Sequence, residues 1–284
     1  MRAIVCCLCL ASLVIASPSA FADEKAKSIT SSESGPAQVI FRTPNVSAKA
    51  TRTMLTQGDA EIPLVVVRGT PYEMGRQLGE ALKQEIQAFV PPAMKGICAQ
   101  LQVTEETLLE VWSRSAAYAD DRVEQEIAGL ADGCGLPLKT LQALHAVPLL
   151  KPYSCSSIAA WGDATEDGHL YQTRNLDWSM EIGAHEVAAI VVYVPDKGVP
   201  HVVPTFAGFV GAHTGMNFKG ITLAEMGDAS RREAPYFVHA PHFTVFFRTM
   251  LYDADSLTET LSIFEQQPLT KRYHFVFGDG QTDK

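Results

Sequence analysis

No basic stripe runs through this chain, whose formal charge is −9. Nucleic-acid binding needs clustered Lys and Arg facing the phosphates, so that class of partner is excluded. The acidity speaks for solubility. Metal-ligand spacing is missing too. His239 and His242 stand three apart, and no third ligand follows at a zinc-like interval, so no metal and no cofactor is expected. None of the eight histidines lies in a papain-type signature. The apolar run over residues 3–16 is too short to span a bilayer comfortably, and no stable membrane span is expected. Cysteine is sparse. Beyond Cys6, Cys7 and Cys9 in that run, only Cys98, Cys134 and Cys155 remain. An odd number leaves at least one thiol unpaired within the chain. A Cys98–Cys134 disulfide would leave Cys155 free, but pairing needs Cα atoms within about 7 Å and stays open at this point.

What is present is ordinary globular material, with 46% hydrophobic and 19% charged residues in 284. Residues 1–22 read as a signal peptide: Arg2 gives a positive start, the apolar run follows, and Ala20-Phe21-Ala22 fits a cleavage site. Export to the periplasm or outside the cell is therefore expected, with a short membrane anchor as the competing reading. Residues 23–58, rich in Ser, Ala, Thr and Lys, read as a flexible leader. Within them Asn45-Val46-Ser47 matches a glycosylation acceptor. Residues 59–284 read as one domain, mostly helical over 59–154 and strand-rich over 155–284.

Residues 62–67 are β-branched and predict a strand. Thr70-Pro71 predicts an N-cap with proline at the first helical position, opening a helix over 71–89 that stops before Pro91-Pro92. Gly75 and Gly79 share a face of that helix and point to close packing rather than a ligand. Helical pattern with breaks continues over 105–131, and a shorter helix follows over 138–147. Residues 187–194 are apolar on both faces, which predicts a buried strand. Strands are expected at 201–206, 221–224 and 273–277, and helices at 241–252 and after Ser256-Leu257-Thr258-Glu259, a capping box. Asp279-Gly280 usually introduces a further strand, so the chain is expected to lack a C-terminal part.

The stretch from Tyr153 to Trp178 carries the chemistry. It reads as two strands joined by a turn at Asp167-Gly168, with Cys155 at the head and Arg174, Asn175 and Asp177 at the tail. A nucleophilic thiol needs a base, an oxyanion site and a positioned substrate. If the bond before Cys155 is cut, its own α-amine becomes available, with an ordinary pKa of about 7.7–8.0. A two-residue turn, however, pairs Arg174 with Trp161 and Asp177 with Ile158. That leaves Arg174 roughly 20 Å from Cys155. A bulge, a longer turn or a bend is required.

These residues resemble a family. Arg68-Gly69-x5-Gly75-x3-Gly79, the turn Ala131-Asp132-Gly133-Cys134-Gly135-Leu136, Cys155-Ser156-Ser157 and Gly168-x5-Arg174-Asn175-x-Asp177-Trp178 together look like the C45 family. These are autoproteolytic acyltransferases and hydrolases of the N-terminal nucleophile superfamily, related to penicillin acyltransferase, acid ceramidase and choloylglycine hydrolases. The resemblance covers residues 62–284 and is most specific over 155–178. It implies an α+β fold, the αββα sandwich of N-terminal nucleophile hydrolases, self-cleavage at Ser154–Cys155, and attack on an amide or thioester acyl group. By it Cys155 is the nucleophile, Arg174 supports the thiolate or the substrate, and Asp177 holds the α-amine. Gly215-Met216-Asn217-x-x-Gly220 resembles the family's turn before a strand, so Asn217 is the expected oxyanion donor. Several relatives place that asparagine further along the strand, where this sequence has Ala224-Glu225-Met226. A glutamate cannot donate unless protonated, so the alternatives to Asn217 are backbone N–H groups as donors, Glu225 as a substrate-binding group, or a diverged activity.

Asp132-Gly133-Cys134 resembles the cleavage site of penicillin acyltransferase, but its helical context makes Cys134 a decoy. Asp163, Glu166 and Asp167 read as a solvated acidic turn, and Arg174 with Asp177 has a surface ion pair as its plainer reading. The expected function is an exported cysteine amidohydrolase or acyltransferase acting on a small-molecule amide or acyl substrate. The alternatives are a non-catalytic, degenerate copy of the fold serving as a binding module, and a histidine-assisted cysteine hydrolase that is not cut.

Overall fold

The structure, a computed structural model, describes residues 49–58, 60–150, 153–178, 180–227, 237–270 and 273–284. The expected signal peptide and the Asn45 acceptor lie outside the described residues. The described chain is α+β. Strands β1 (Thr51–Gln57) and β2 (Ala60–Gly69) open it, followed by helices α1 (Pro71–Ala81), α2 (Lys83–Leu101), α3 (Glu105–Ala116), α4 (Asp121–Cys134) and α5 (Leu138–Leu150). A hairpin of β3 (Ser154–Ala160) and β4 (Tyr171–Asp177) comes next. Then come β5 (Ala188–Pro195), β6 (His201–Phe206), β7 (Thr214–Asn217), β8 (Ile221–Met226), α6 (Phe243–Asp253), α7 (Leu257–Glu265) and β9 (His274–Asp279).

Seven strands form one sheet in the order β1-β2-β5-β6-β7-β8-β9, and β3-β4 form a second sheet of two. Among the described residues, only β2 and β5 run parallel within the large sheet. Parallel neighbours need a long crossover. Here the crossover contains α1 to α5 and the hairpin, which is how the hairpin comes to sit beside the large sheet. Val65 and Val67 of β2, Val191 and Tyr193 of β5, and Leu223 of β8 join one core with Leu78, Ile86, Ile127, Leu144 and Phe247 from the helices.

Helix starts follow the expected chemistry. Thr70 and Glu73 close a capping box ahead of Pro71, and Ser256 accepts from Glu259 N–H at 3.3 Å. The glycines of α1 pack against α4: a Cβ at Gly75 would overlap the Glu126 carbonyl oxygen, and one at Gly79 would lie 2.5 Å from that of Leu130. Other expectations are corrected. Residues 51–57, placed in the flexible leader, form an edge strand paired along β2. The described residues 51–56 are all exposed, so the strand carries no buried alternation to read. The first helix ends at Ala81, and α2 then runs straight through Pro91 and Pro92. An interior proline costs about 3 kcal/mol or more. Burial of Ile86, Phe89, Val90, Met94 and Ile97 offsets it. Residues 188–195 alternate between buried and half-buried positions, so β5 is closed off on one face and not both. Cys98, Cys134 and Cys155 are all free thiols.

No helix among the described residues is long and apolar enough to cross a membrane. No described group of His, Cys, Asp and Glu is arranged to hold a metal ion. His242 instead caps α6, accepting from Thr244 N–H at 3.3 Å, with Tyr273 Oη 3.1 Å from its Nε2.

Candidate active site

The connection between β3 and β4 is not a two-residue turn at Asp167-Gly168. It spans residues 161–170, contains a 3-10 turn at Gly162–Ala164, and is closed by Gly162 N–H donating to the Gly168 carbonyl at 3.0 Å. The longer loop shifts the register. Cys155 pairs with Leu176, Ser157 with Arg174 and Ser154 with Asp177. Cys155 and Arg174 therefore become diagonal neighbours on one face, with Cβ atoms somewhat under about 7–8 Å apart and within reach of a long side chain. The ladder itself needs no bulge.

Arg174 closes that gap. Its Nη2 lies 3.0 Å from Cys155 Sγ, its Nε donates to the Glu225 carbonyl at 3.0 Å, and Nη2 approaches Glu225 Oε2 at 3.3 Å. The Arg174 side chain is 5% exposed and that of Glu225 fully buried. Arg174 is thus paired inside the protein with Glu225, whereas its plainer reading placed it in a surface ion pair with Asp177. Tyr153 Oη donates to Glu225 Oε1 at 2.9 Å. A buried polar chain therefore runs Tyr153, Glu225, Arg174, Cys155. Beside it, the rings of Trp178 and His213 stand 5.4 Å and 6.4 Å from the Tyr153 ring.

Burial pushes the Cys155 thiol above its ordinary pKa. Arg174 opposes that shift, Glu225 adds to it, and the backbone amides of Gly227 and Asp177 lower it. Burial and the Glu225 carboxylate hold the Tyr153 phenol well above its usual range, so it remains a donor. Burial, with the Arg174 charge, depresses His213 well below the usual imidazole range and keeps it neutral. Among the described residues, no histidine hydrogen-bonds Cys155.

Asp177 sits directly across from Ser154 in the ladder, on the exposed face opposite Cys155 and Arg174. Asn217 does not belong to this site. Its Nδ2 donates to the Leu251 and Ala254 carbonyls at 3.3 Å and 2.7 Å, and its Oδ1 accepts from Lys219 and Ile221 N–H. It ties the β7–β8 turn to the end of α6. Glu225 lies four residues beyond Ile221 on β8, roughly 13 Å away. Cys134 is fully buried at the C-terminal end of α4.

Two contributors went unread in the sequence, Tyr153 and Gly227. A Cβ at Gly227 would lie 2.5 Å from the Tyr153 carbonyl oxygen and 2.9 Å from its ring. The end of β8 and the chain entering Cys155 touch there backbone to backbone. An aromatic residue just ahead of the expected cut was the available signal for Tyr153.

No family model matches the chain. Relatives do. Protein dcd1B of Dictyostelium discoideum is 25% identical over 254 residues, covering 78% of this chain and 49% of the relative. Protein dcd1A of the same organism is 24% identical, covering 79% and 57%. A protein of Archaeoglobus fulgidus described as uncharacterized is 24% identical, covering 77% and 41%. The chain thus spans about half the length of the curated relatives it matches.

Proposed function

We propose that this chain is an autoproteolytic cysteine amidohydrolase or acyltransferase of the N-terminal nucleophile type, and that its two sheets and helical layer are parts of an αββα sandwich. One observation carries the reading: Arg174 Nη2 lies 3.0 Å from Cys155 Sγ at the head of a strand, where a cation favours the thiolate. In the uncut chain Sγ attacks the Ser154 carbonyl carbon. The C–N bond to Cys155 breaks, its nitrogen takes up the thiol proton, and water then hydrolyses the thioester. The products are a Ser154 carboxylate, a free thiol and a new α-amine, for which Asp177 across the ladder is the nearby counter-charge. That amine supplies the base that a thiol raised by burial needs. A second substrate acyl group then forms a thioester on Cys155 as its amine leaves with a proton. Water or another acceptor releases it. Residues 1–22 direct the chain to export in this reading.

Intact mass and N-terminal sequencing of the purified chain test this. A fragment beginning at Cys155, absent in Cys155→Ala, is expected. An uncut chain with full amidase activity would refute the mechanism. An uncut and inactive chain would favour a binding role for the fold.

A further inference from the structure

The self-cleavage proposed above is itself an acyl transfer, and its acyl side is the chain ending in Tyr153-Ser154. The carbonyl attacked by Cys155 first is that of Ser154. A later substrate must bring its own carbonyl to the same sulfur. Whatever lies on the acyl side of Ser154 therefore occupies the place of the substrate's acyl chain. In this structure that place holds the Tyr153 side chain. The residue is 5% exposed, its ring is flanked by Trp178 and His213, and its hydroxyl donates to Glu225 Oε1 at 2.9 Å. Gly227 has no Cβ where the ring and carbonyl pass, so the slot is shaped around this group.

We propose, resting on that reading of the site, that Tyr153 fills the acyl pocket of the uncut chain as an internal stand-in for substrate, and that the substrate acyl group ends in a ring bearing a hydrogen-bond donor. Its departure after the cut opens a slot between Trp178 and His213. It also withdraws one donor from a carboxylate that is fully buried. A buried acceptor that loses a partner is destabilised, so an acyl group restoring the donor is selected over one that cannot. The covalent path sets the spacing. Between the attacked carbonyl carbon and the Tyr153 ring lie Cα and N of Ser154, then C, Cα and Cβ of Tyr153. A 6-(4-hydroxyphenyl)hexanoyl group reproduces that reach and ends in the same phenol. Its amide reacts as above: the thioester forms on Cys155, the amide C–N bond breaks, the amine leaves protonated, and water yields the free acid.

The test uses the full chain after its cut. Three amides of 7-amino-4-methylcoumarin are compared, carrying 6-(4-hydroxyphenyl)hexanoyl, 6-phenylhexanoyl and decanoyl groups. The hydroxyphenyl amide is expected to show kcat/KM about tenfold or more above the phenyl amide, with decanoyl lowest. Equal rates for the first two, or a preference for decanoyl, would overturn the ring-and-donor pocket while leaving the cut and the thioester chemistry standing. A cut chain that turns over none of the three also overturns the pocket. An uncut chain inert to all of them removes the underlying reading and the pocket with it.

Discussion

Arg174 engages Glu225 twice, from Nε to the backbone carbonyl at 3.0 Å and from Nη2 to Oε2 at 3.3 Å, while the same Nη2 touches Cys155 Sγ. One guanidinium thus divides its charge between a carboxylate and a thiol. That division tunes the Cys155 thiol, whose pKa burial raises first.

The thiol is raised overall, first by burial, with Arg174 pulling it down and Glu225 pushing it up. Its thiolate fraction is therefore small at neutral pH and grows as the solution becomes alkaline. Glu225→Gln removes the negative neighbour and should move the alkylation profile of Cys155 to lower pH. Arg174→Gln should move it to higher pH. With iodoacetamide at pH 8, the Glu225 variant is expected to react about three- to tenfold faster than the wild type. The measurement is peptide mass at Cys155 in the uncut fraction. Unchanged profiles in both variants would mean that the guanidinium does not govern the thiol.

Asn217 gives a prediction opposite to the one its sequence context suggested. Both polar atoms of its side chain are used within the β7–β8 turn and at the end of α6. Asn217→Ala strands those buried groups at about 1–3 kcal/mol apiece where water does not replace the side chain. Denaturant unfolding should show a loss of about 2–4 kcal/mol. The fraction of folded molecules cut at Ser154–Cys155 should stay at the wild-type level. A stable but uncut variant would return Asn217 to the site.

Much of this architecture was legible where one side chain or one cap decides the local structure. Thr70-Pro71 and Ser256 mark helix starts, and Cys155 and Arg174 stand where a hairpin can bring them together. What stayed hidden depends on partners distant in sequence. The two prolines of α2 read as a stop, because the apolar face that carries the helix through them is visible only once it packs. The hairpin register turned on a loop whose 3-10 turn has no strong signature, and a two-residue turn put Arg174 on the wrong residue. Glu225 looked like a departure from a pattern. In the structure it is the hub that joins Tyr153 to Arg174.

The crossing of α1 and α4 should tolerate no Cβ at its glycines. Added to Gly75 it would overlap the Glu126 carbonyl, and added to Gly129 the Tyr72 carbonyl. Alanine gains about 1 kcal/mol of helix propensity over glycine, but overpacking typically costs 1–3 kcal/mol and can exceed that where backbone must move. Gly75→Ala and Gly129→Ala are each expected to lower stability by about 2 kcal/mol or more. Gly96→Ala, on the exposed side of α2 with nothing within 4 Å of the added carbon, should raise it by about 0.5–1 kcal/mol. Thermal melts of the three variants, compared side by side, check both signs.

Gly227 offers a sharper probe of the cut itself. It touches no reacting atom with a side chain, yet an added Cβ would lie 2.5 Å from the Tyr153 carbonyl oxygen. Relief requires the chain before Ser154 to move off the end of β8. Backbone atoms cannot rotate away as a flexible side chain can, so the shift passes directly to the Ser154 carbonyl, the one attacked in the proposed cut. Reacting groups displaced by an ångström lose about a hundredfold in rate. Gly227→Ala is therefore expected to fold, with a modest fall in melting temperature, and to release the Cys155 fragment about tenfold to a hundredfold more slowly. Gels of the purified variant over time give the rate, and circular dichroism reports whether it is folded. A folded Gly227→Ala chain cut at the wild-type rate would show that the contact between Gly227 and Tyr153 plays no part in aligning the bond.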